Sequence, residues 1–258
     1  MNKAAGIMQG LRAPLFIGAV VFVVTVIASI PASAISFFVD HNRAGLSYRE
    51  AQGTIWRGDL TAAAIGGVPL GDVSYELSLL SLLGLSPELS LSANGPVNGR
   101  AIVSVGLGRR VSLRDVDADI NLGAIAVRGL LGEPASGQAR IAINRIDFSA
   151  REGCIKAEGE LWTNALDAPA KRYDLPGLPM NGAVSCRQDK LVVSLAGENV
   201  RTAASIELLI DKSLAYVVTA TATPSEGNIA SALRVYGFED DNGALTYGSV
   251  GMLTGAGS

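Results

Sequence analysis

Apolar and polar residues alternate with a period of two along most of the chain. In "ELSLSA", Glu88 to Ala93, Leu89, Leu91 and Ala93 share one side, and Ser90 and Ser92 the other. "GRAIVSVGL" sets Ala101, Val103 and Val105 on one side, and "DADINLG" sets Ala118, Ile120 and Leu122 against Asp119 and Asn121. "KLVVSLAG" and "ASIELLID" continue the pattern through Leu191, Val193 and Leu195 and through Ile206, Leu208 and Ile210. Successive side chains of a strand point to opposite faces, so this pattern predicts strands with one apolar and one polar face. In "GQARIAINRIDFSA", Gly137 to Ala150, the apolar side passes from Ala139, Ile141 and Ile143 to Ile146 and Phe148. That slip of one residue predicts a β-bulge near Asn144 and Arg145.

Turn signals separate the runs: "GG" at 66–67, "NGP" at 94–96, "GLG" at 106–108, "REG" at 151–153 and "DNG" at 241–243. Many short strands punctuated in this way predict an all-β fold, an extended antiparallel β-meander or curved sheet. One or two short helices are expected, over 122–131 and over 226–237, the latter closing on Gly237 at a C′ position. The Pro-rich "DAPAKRYDLPGLP", Asp167 to Pro179, reads as an irregular loop. A meander with one apolar face must cover it by curling, by packing on a second sheet, or by leaving a groove for a lipid or a partner strand. The pattern does not choose among these.

The alternation is missing at the start. From Ala13 to Val39 there is no charged side chain. A helix rises about 1.5 Å per residue, so roughly 20 such residues cross a hydrocarbon core about 30 Å thick. Lys3 and Arg12 precede the segment, which favours a cytoplasmic amino terminus and an exported remainder. The predicted organisation is a cytoplasmic leader (1–12), a transmembrane helix (13–34) closed near Pro31, and one exported β-domain (35–258). The alternative is a signal peptide cleaved after "PASA", Pro31 to Ala34, which leaves the orientation unchanged.

Composition narrows the function. The 258 residues are 48% hydrophobic and 17% charged with net charge -3, so no basic surface exists to neutralise nucleic-acid phosphates. The two cysteines, Cys154 and Cys186, both fall in the exported part, where one disulfide is the simplest outcome and two separate buried thiols the alternative. Closing that loop stabilises by roughly 3–4 kcal/mol in the chain-entropy model. The single histidine, His41, sits near the membrane exit and has no second histidine for a zinc site or a catalytic triad. No nucleophile elbow, SxxK pair, HExxH or phosphate-binding loop is present. "GLGRRV", Gly106 to Val111, reads as a hairpin turn, and Asp115, Asp117 and Asp119 as the solvent face of a strand. No enzyme, metal or cofactor is expected.

One motif remains: "GTIWRG", Gly53 to Gly58, with Trp56 between two glycines shortly after the apolar span. A basic leader, one apolar span, "IPA" at its end and then this element form an order that resembles the type II secretion system protein N family. "GDVSYELSLLSLLGLSPELSLSANG" is similar to the family's second hairpin, with Leu82 and Leu83 at its leucine pair, although Tyr75 stands where Trp is common. "GELWTNAL" resembles a strand-end motif and supplies Trp162, and "TATPSEGNIASALRVYGFEDDNG" resembles the closing segment with Leu233, Gly237, Asn242 and Gly243. The resemblance implies a single-pass component of the bacterial inner membrane with a periplasmic domain, aiding export of folded proteins across the outer membrane. Its implied partners are the inner membrane and other secretion subunits, and it implies neither catalytic residues nor cofactor. Gly53 and Gly58 then flank a strand entry, and Trp56, like Trp162, is a structural anchor or, alternatively, a recruitment site. A second reading is a membrane-anchored periplasmic lipid-binding protein with an AsmA-like groove.

Overall fold

The structure, a computed structural model, describes Thr25 and residues 29–32, 45–78, 81, 86–106, 110–125, 136–172, 174 and 176–252. Fifteen strands form one antiparallel sheet: β1 (Leu46–Ser47), β2 (Glu50–Gly53), β3 (Arg57–Ile65), β4 (Val68–Leu77), β5 (Glu88–Asn94), β6 (Val97–Gly106), β7 (Arg110–Asn121), β8 (Gln138–Ser149), β9 (Gly153–Thr163), β10 (Met180–Arg187), β11 (Lys190–Glu198), β12 (Thr202–Ile210), β13 (Ala215–Pro224), β14 (Glu239–Asp241) and β15 (Ala244–Met252). From β3 to β13 every strand pairs with its neighbour in sequence. The chain then passes β15 against β13 and leaves β14 outside it. The all-β meander read from the alternation is the fold, and it is a single sheet.

The turns explain the register. Gly66 and Gly67 (φ 58° and 82°) join β3 to β4, and Asn242 and Gly243 (φ 51° and 91°) join β14 to β15. Two central residues with positive φ make the hairpin turn whose twist matches the strands. The bulge expected near Asn144 and Arg145 lies between Ile143 and Arg145 on the β9 side. A second irregularity, between Arg100 and Ile102, faces Asp115, whose φ is 50°. Asp117 and Asp119 therefore share a strand face, whereas Asp115 sits in the distortion.

Two short helices lie among the described residues, α1 (Asp167–Arg172) and α2 (Gly227–Val235). The expected helix over 226–237 is α2, and it ends as Gly237 dictates. At φ 88° this residue lets the Gly237 N–H reach the Arg234 carbonyl and the Phe238 N–H the Leu233 carbonyl, at 3.0 and 3.1 Å. This is the Schellman arrangement of a left-handed C′ residue. The loop expected over 167–179 is corrected. Its first six residues form α1, because Pro169 falls in the first turn, where its missing N–H costs nothing. Of the helix expected over 122–131, residues 122–125 form turns and the rest lies outside the described residues.

The apolar faces of the strands line one side of the sheet. Leu60, Ala63, Val73 and Tyr75 bury there with Ala32, and Met180, Ala222, Leu245 and Ile229 of α2 are buried farther along. The alternation fails to predict burial at several places, two of which show why. Val192 is on the polar face yet only 1% exposed. In the register, Arg187 pairs with Lys190 and Glu207 with Ser194, so the two-pronged Arg187–Glu207 ion pair (2.9 and 3.1 Å) crosses β11 directly over Val192. Ser104 is likewise buried on the polar face, between Glu88 and Ser112 in the register, while Val105 beside it on the apolar face is 48% exposed.

Most of the expected transmembrane segment (13–34), His41, Leu82 and Leu83 lie outside the described residues. Among the described residues no helix is long and apolar enough to cross a membrane.

Candidate functional site

Connections alternate between the two ends of the strands. Residues 54–56 join β2 to β3 at one end, the same end that carries the β8–β9, β10–β11 and β12–β13 turns. The "GTIWRG" element is this 54–56 turn with its flanks. Gly53 has φ 94°, and a Cβ there would lie 2.5 Å from the Arg57 carbonyl oxygen, so only glycine fits. Thr54 then organises the turn. Its N–H donates to the Arg57 carbonyl (2.9 Å), and its hydroxyl oxygen accepts from the Trp56 and Arg57 N–H groups, each at 3.3 Å.

Gly58 is needed for a different reason. A Cβ there would stand 2.3 Å from the Gln52 carbonyl oxygen and 2.7 Å from the Tyr75 hydroxyl. Tyr75, across the ladder from Gly58, lays its ring over the glycine and donates its hydroxyl to the Thr54 carbonyl at 2.7 Å. Burial first, then the charge of Asp59 and the nearby Tyr48, raise the tyrosine's pKa, so the hydroxyl keeps its proton and remains a donor. Trp56 is half-buried, and its carbonyl accepts from the Leu77 N–H at 2.7 Å.

Residues 30–32, within the apolar segment, meet this turn. Pro31 bridges Thr54 in antiparallel fashion, the Ile55 N–H donates to the Ile30 carbonyl at 3.0 Å, and Ala32 is 1% exposed in the cluster with Leu60 and Tyr75. "IPA" and "GTIWRG", some twenty residues apart by the numbering, are therefore one local structure. The sequence marks the glycines and Trp56 but not the residue that closes the turn. Tyr75 is marked as an aromatic in phase with Val73 on the apolar side of β4.

Trp162 is elsewhere. It lies near the end of β9 at the opposite strand end, on the polar face, paired with Arg140 and Asn181. With Asn98, Asp119, Gln138 and Arg140 it lines an open cleft of about 760 Å³. The Arg140–Asp119 pair across it is 2.8 Å long. The structure thus does not bring the two tryptophans together.

Cys154 and Cys186 are joined by a disulfide with a Cα–Cα distance of 5.6 Å. The β9–β10 ladder stops at the Gly159–Val184 pair, and the disulfide ties the two strands beyond that point. The β10–β11 turn docks on the same place. Asp189 accepts from the Cys154 N–H at 2.8 Å, and a Cβ on Gly153 would stand 2.1 Å from the Asp189 carbonyl oxygen. Nearby, Asp147 is buried on the polar face and accepts from Ser112 and from Arg145, the latter at 2.7 Å. Burial pushes the carboxyl upward, but the Ser112 and Arg145 hydrogen bonds together with the charges of Arg145 and Arg110 hold Asp147 below its ordinary value.

A family model described as type II secretion system protein N matches residues 44–247. No curated protein and no solved structure matches the chain.

Proposed function

The chain belongs to the type II secretion system protein N family, and from that premise we propose that it is an accessory, non-catalytic subunit of the secretion apparatus. Its apolar amino-terminal segment holds it in the inner membrane, and its sheet stands in the periplasm, where it contacts other subunits. The observation that carries this reading is the family match, which spans β1 to the first residues of β15. Two structural features support it. The stitch of Pro31 to Thr54 fixes the sheet against the apolar segment itself, as a short-tethered scaffold requires. The Cys154–Cys186 disulfide suits an oxidising compartment.

The test uses a cysteine at Val200, which is 89% exposed in the β11–β12 turn. In intact spheroplasts a membrane-impermeant maleimide is expected to label V200C, and membrane extracts to yield the chain together with other secretion subunits. Labelling only after the inner membrane is breached removes the periplasmic placement. Normal secretion and no co-purifying subunit removes the accessory role.

A second reading is lipid binding on the apolar face, and one observation favours it. Leu191, Val193, Leu195, Ile206, Leu208 and Ile210 form a contiguous apolar field over β11 and β12 that is only half-buried. A lipid carrier would release phospholipid, seen by mass spectrometry of the purified chain, when Leu208 becomes Asp. A scaffold would show the same lipid content in both forms.

A further inference from the structure

The two edges of the sheet are finished differently. At the first edge, β1 pairs with Ala64 and Ile65 and β2 with Gly58 to Thr61, so two short strands share the outer side of β3. At the other edge, β14 covers β15 only along Ala244 to Thr246. From Tyr247 to Met252 β15 is laddered to β13 on its inner side and, among the described residues, to nothing on its outer side. A bare strand edge is normally blunted by charge, proline or a bulge. "TYGSVGM", Thr246 to Met252, carries none of these, and Val250 and Met252 are 76% and 58% exposed.

We propose that this edge pairs with the same edge of a second copy, antiparallel about a two-fold axis at Val250. The residues favour self-pairing. A two-fold axis there sets Val250 opposite Val250 of the second copy, Gly248 opposite Met252, and Ser249 opposite Gly251. On the polar face, Val217 pairs with Val250 within the chain and is itself 41% exposed. The dimer would therefore align four valines in a row across the junction and withdraw them from water together. A Cβ at Gly248 would meet nothing within 4 Å, which leaves room beside it for the long Met252 side chain. No like charges oppose one another, because residues 244–252 include no ionisable group other than Tyr247. The acidic β14 opposite Ala244 to Thr246 limits the pairing to the bare stretch and fixes its register. The paired residues lie almost wholly beyond the family match, which ends at 247, so the proposal concerns this chain and is independent of its role in secretion.

The experiment uses the full chain purified in detergent micelles. Light scattering is expected to show a dimer, and Val250→Lys, which sets two ammonium groups face to face at the axis, to weaken self-association at least tenfold. Val250 is largely exposed, so V250K retains the far-ultraviolet circular dichroism of the parent. Separately, V250C is expected to crosslink to dimer with a short bis-maleimide, whereas V200C, more exposed still but at the other strand end, does not. Both results are required. Equal self-association of the parent and V250K, as association through the apolar amino-terminal segment alone would produce, overturns the proposal. So does V250C crosslinking no better than V200C, the outcome expected if the edge instead takes a strand from a different protein.

Discussion

At the scale of single residues, the turn at Gly53 to Gly58 holds because each atom position excludes alternatives. Tyr75→Phe removes the hydroxyl and leaves the Thr54 carbonyl without that donor. Loss of one such part-buried hydrogen bond costs about 1 kcal/mol, which urea denaturation of the purified chain would read as a lower midpoint with unchanged slope. Gly58→Ala is expected to cost more, because the added methyl meets the Gln52 carbonyl, a backbone atom that cannot swing away. Asp147 yields a prediction in pH. Its folded-state pKa is depressed, so its contribution is fully present above the unfolded value and disappears as pH falls through the folded one. Asp147→Asn should therefore be less stable than the parent at pH 7, and the difference should shrink as pH drops below the ordinary carboxylate value of 3.8. A difference that is constant from pH 7 down to strongly acid conditions would show that lost packing, rather than charge, is responsible.

At the scale of elements, the disulfide does what the ladder between β9 and β10 cannot, since no ladder pair joins those strands beyond Gly159 and Val184. Replacing both cysteines by serine is expected to lower stability by roughly 3–4 kcal/mol in the chain-entropy model, measured by denaturation under non-reducing conditions. Reducing agent should bring the parent down to the variant and leave the variant unmoved. Elements are also the scale at which the sequence was most legible. Alternation identified the strands because neighbouring strands pair in order, so local pattern and global topology coincide. The slip between Ile143 and Ile146 located a bulge, because one extra residue must invert the faces. Burial was less legible. Val192 looks like a solvent-facing position until Arg187 and Glu207, on strands either side of it, are known to meet above it. Tyr75 closing over Gly58 is illegible for the same reason, since that contact belongs to a register between strands that no single run of residues displays. Helix α1 is hidden by Pro169 and Pro176, which read as loop although the first of them sits in the first turn of a helix.

At the scale of the whole molecule, a sheet in which each strand leans chiefly on its two neighbours resembles a stack of repeats more than a globule with one centre. Stability in such a stack approximates a sum of nearest-neighbour terms, so it need not be uniform along the chain. Strand length marks the extremes, the strands between them having 7 to 10 residues. β7 and β8 have 12 residues each and β9 has 11, whereas β1 has 2, β2 has 4 and β14 has 3. Amide hydrogen exchange followed by mass spectrometry is therefore expected to show the slowest exchange in 110–163, with protection declining toward both ends of the sheet. The decline should be interrupted at β3 and β4, where the stitched Pro31 and the closed turn add support that ladder length alone does not supply. Severing that support with Tyr75→Phe should speed exchange in β2 to β4 and leave 110–163 unchanged. If exchange in both regions rose together, the sheet would open as one cooperative unit. The tether at one edge would then report on the free edge at β15, a coupling that a chain of nearest-neighbour contacts does not provide.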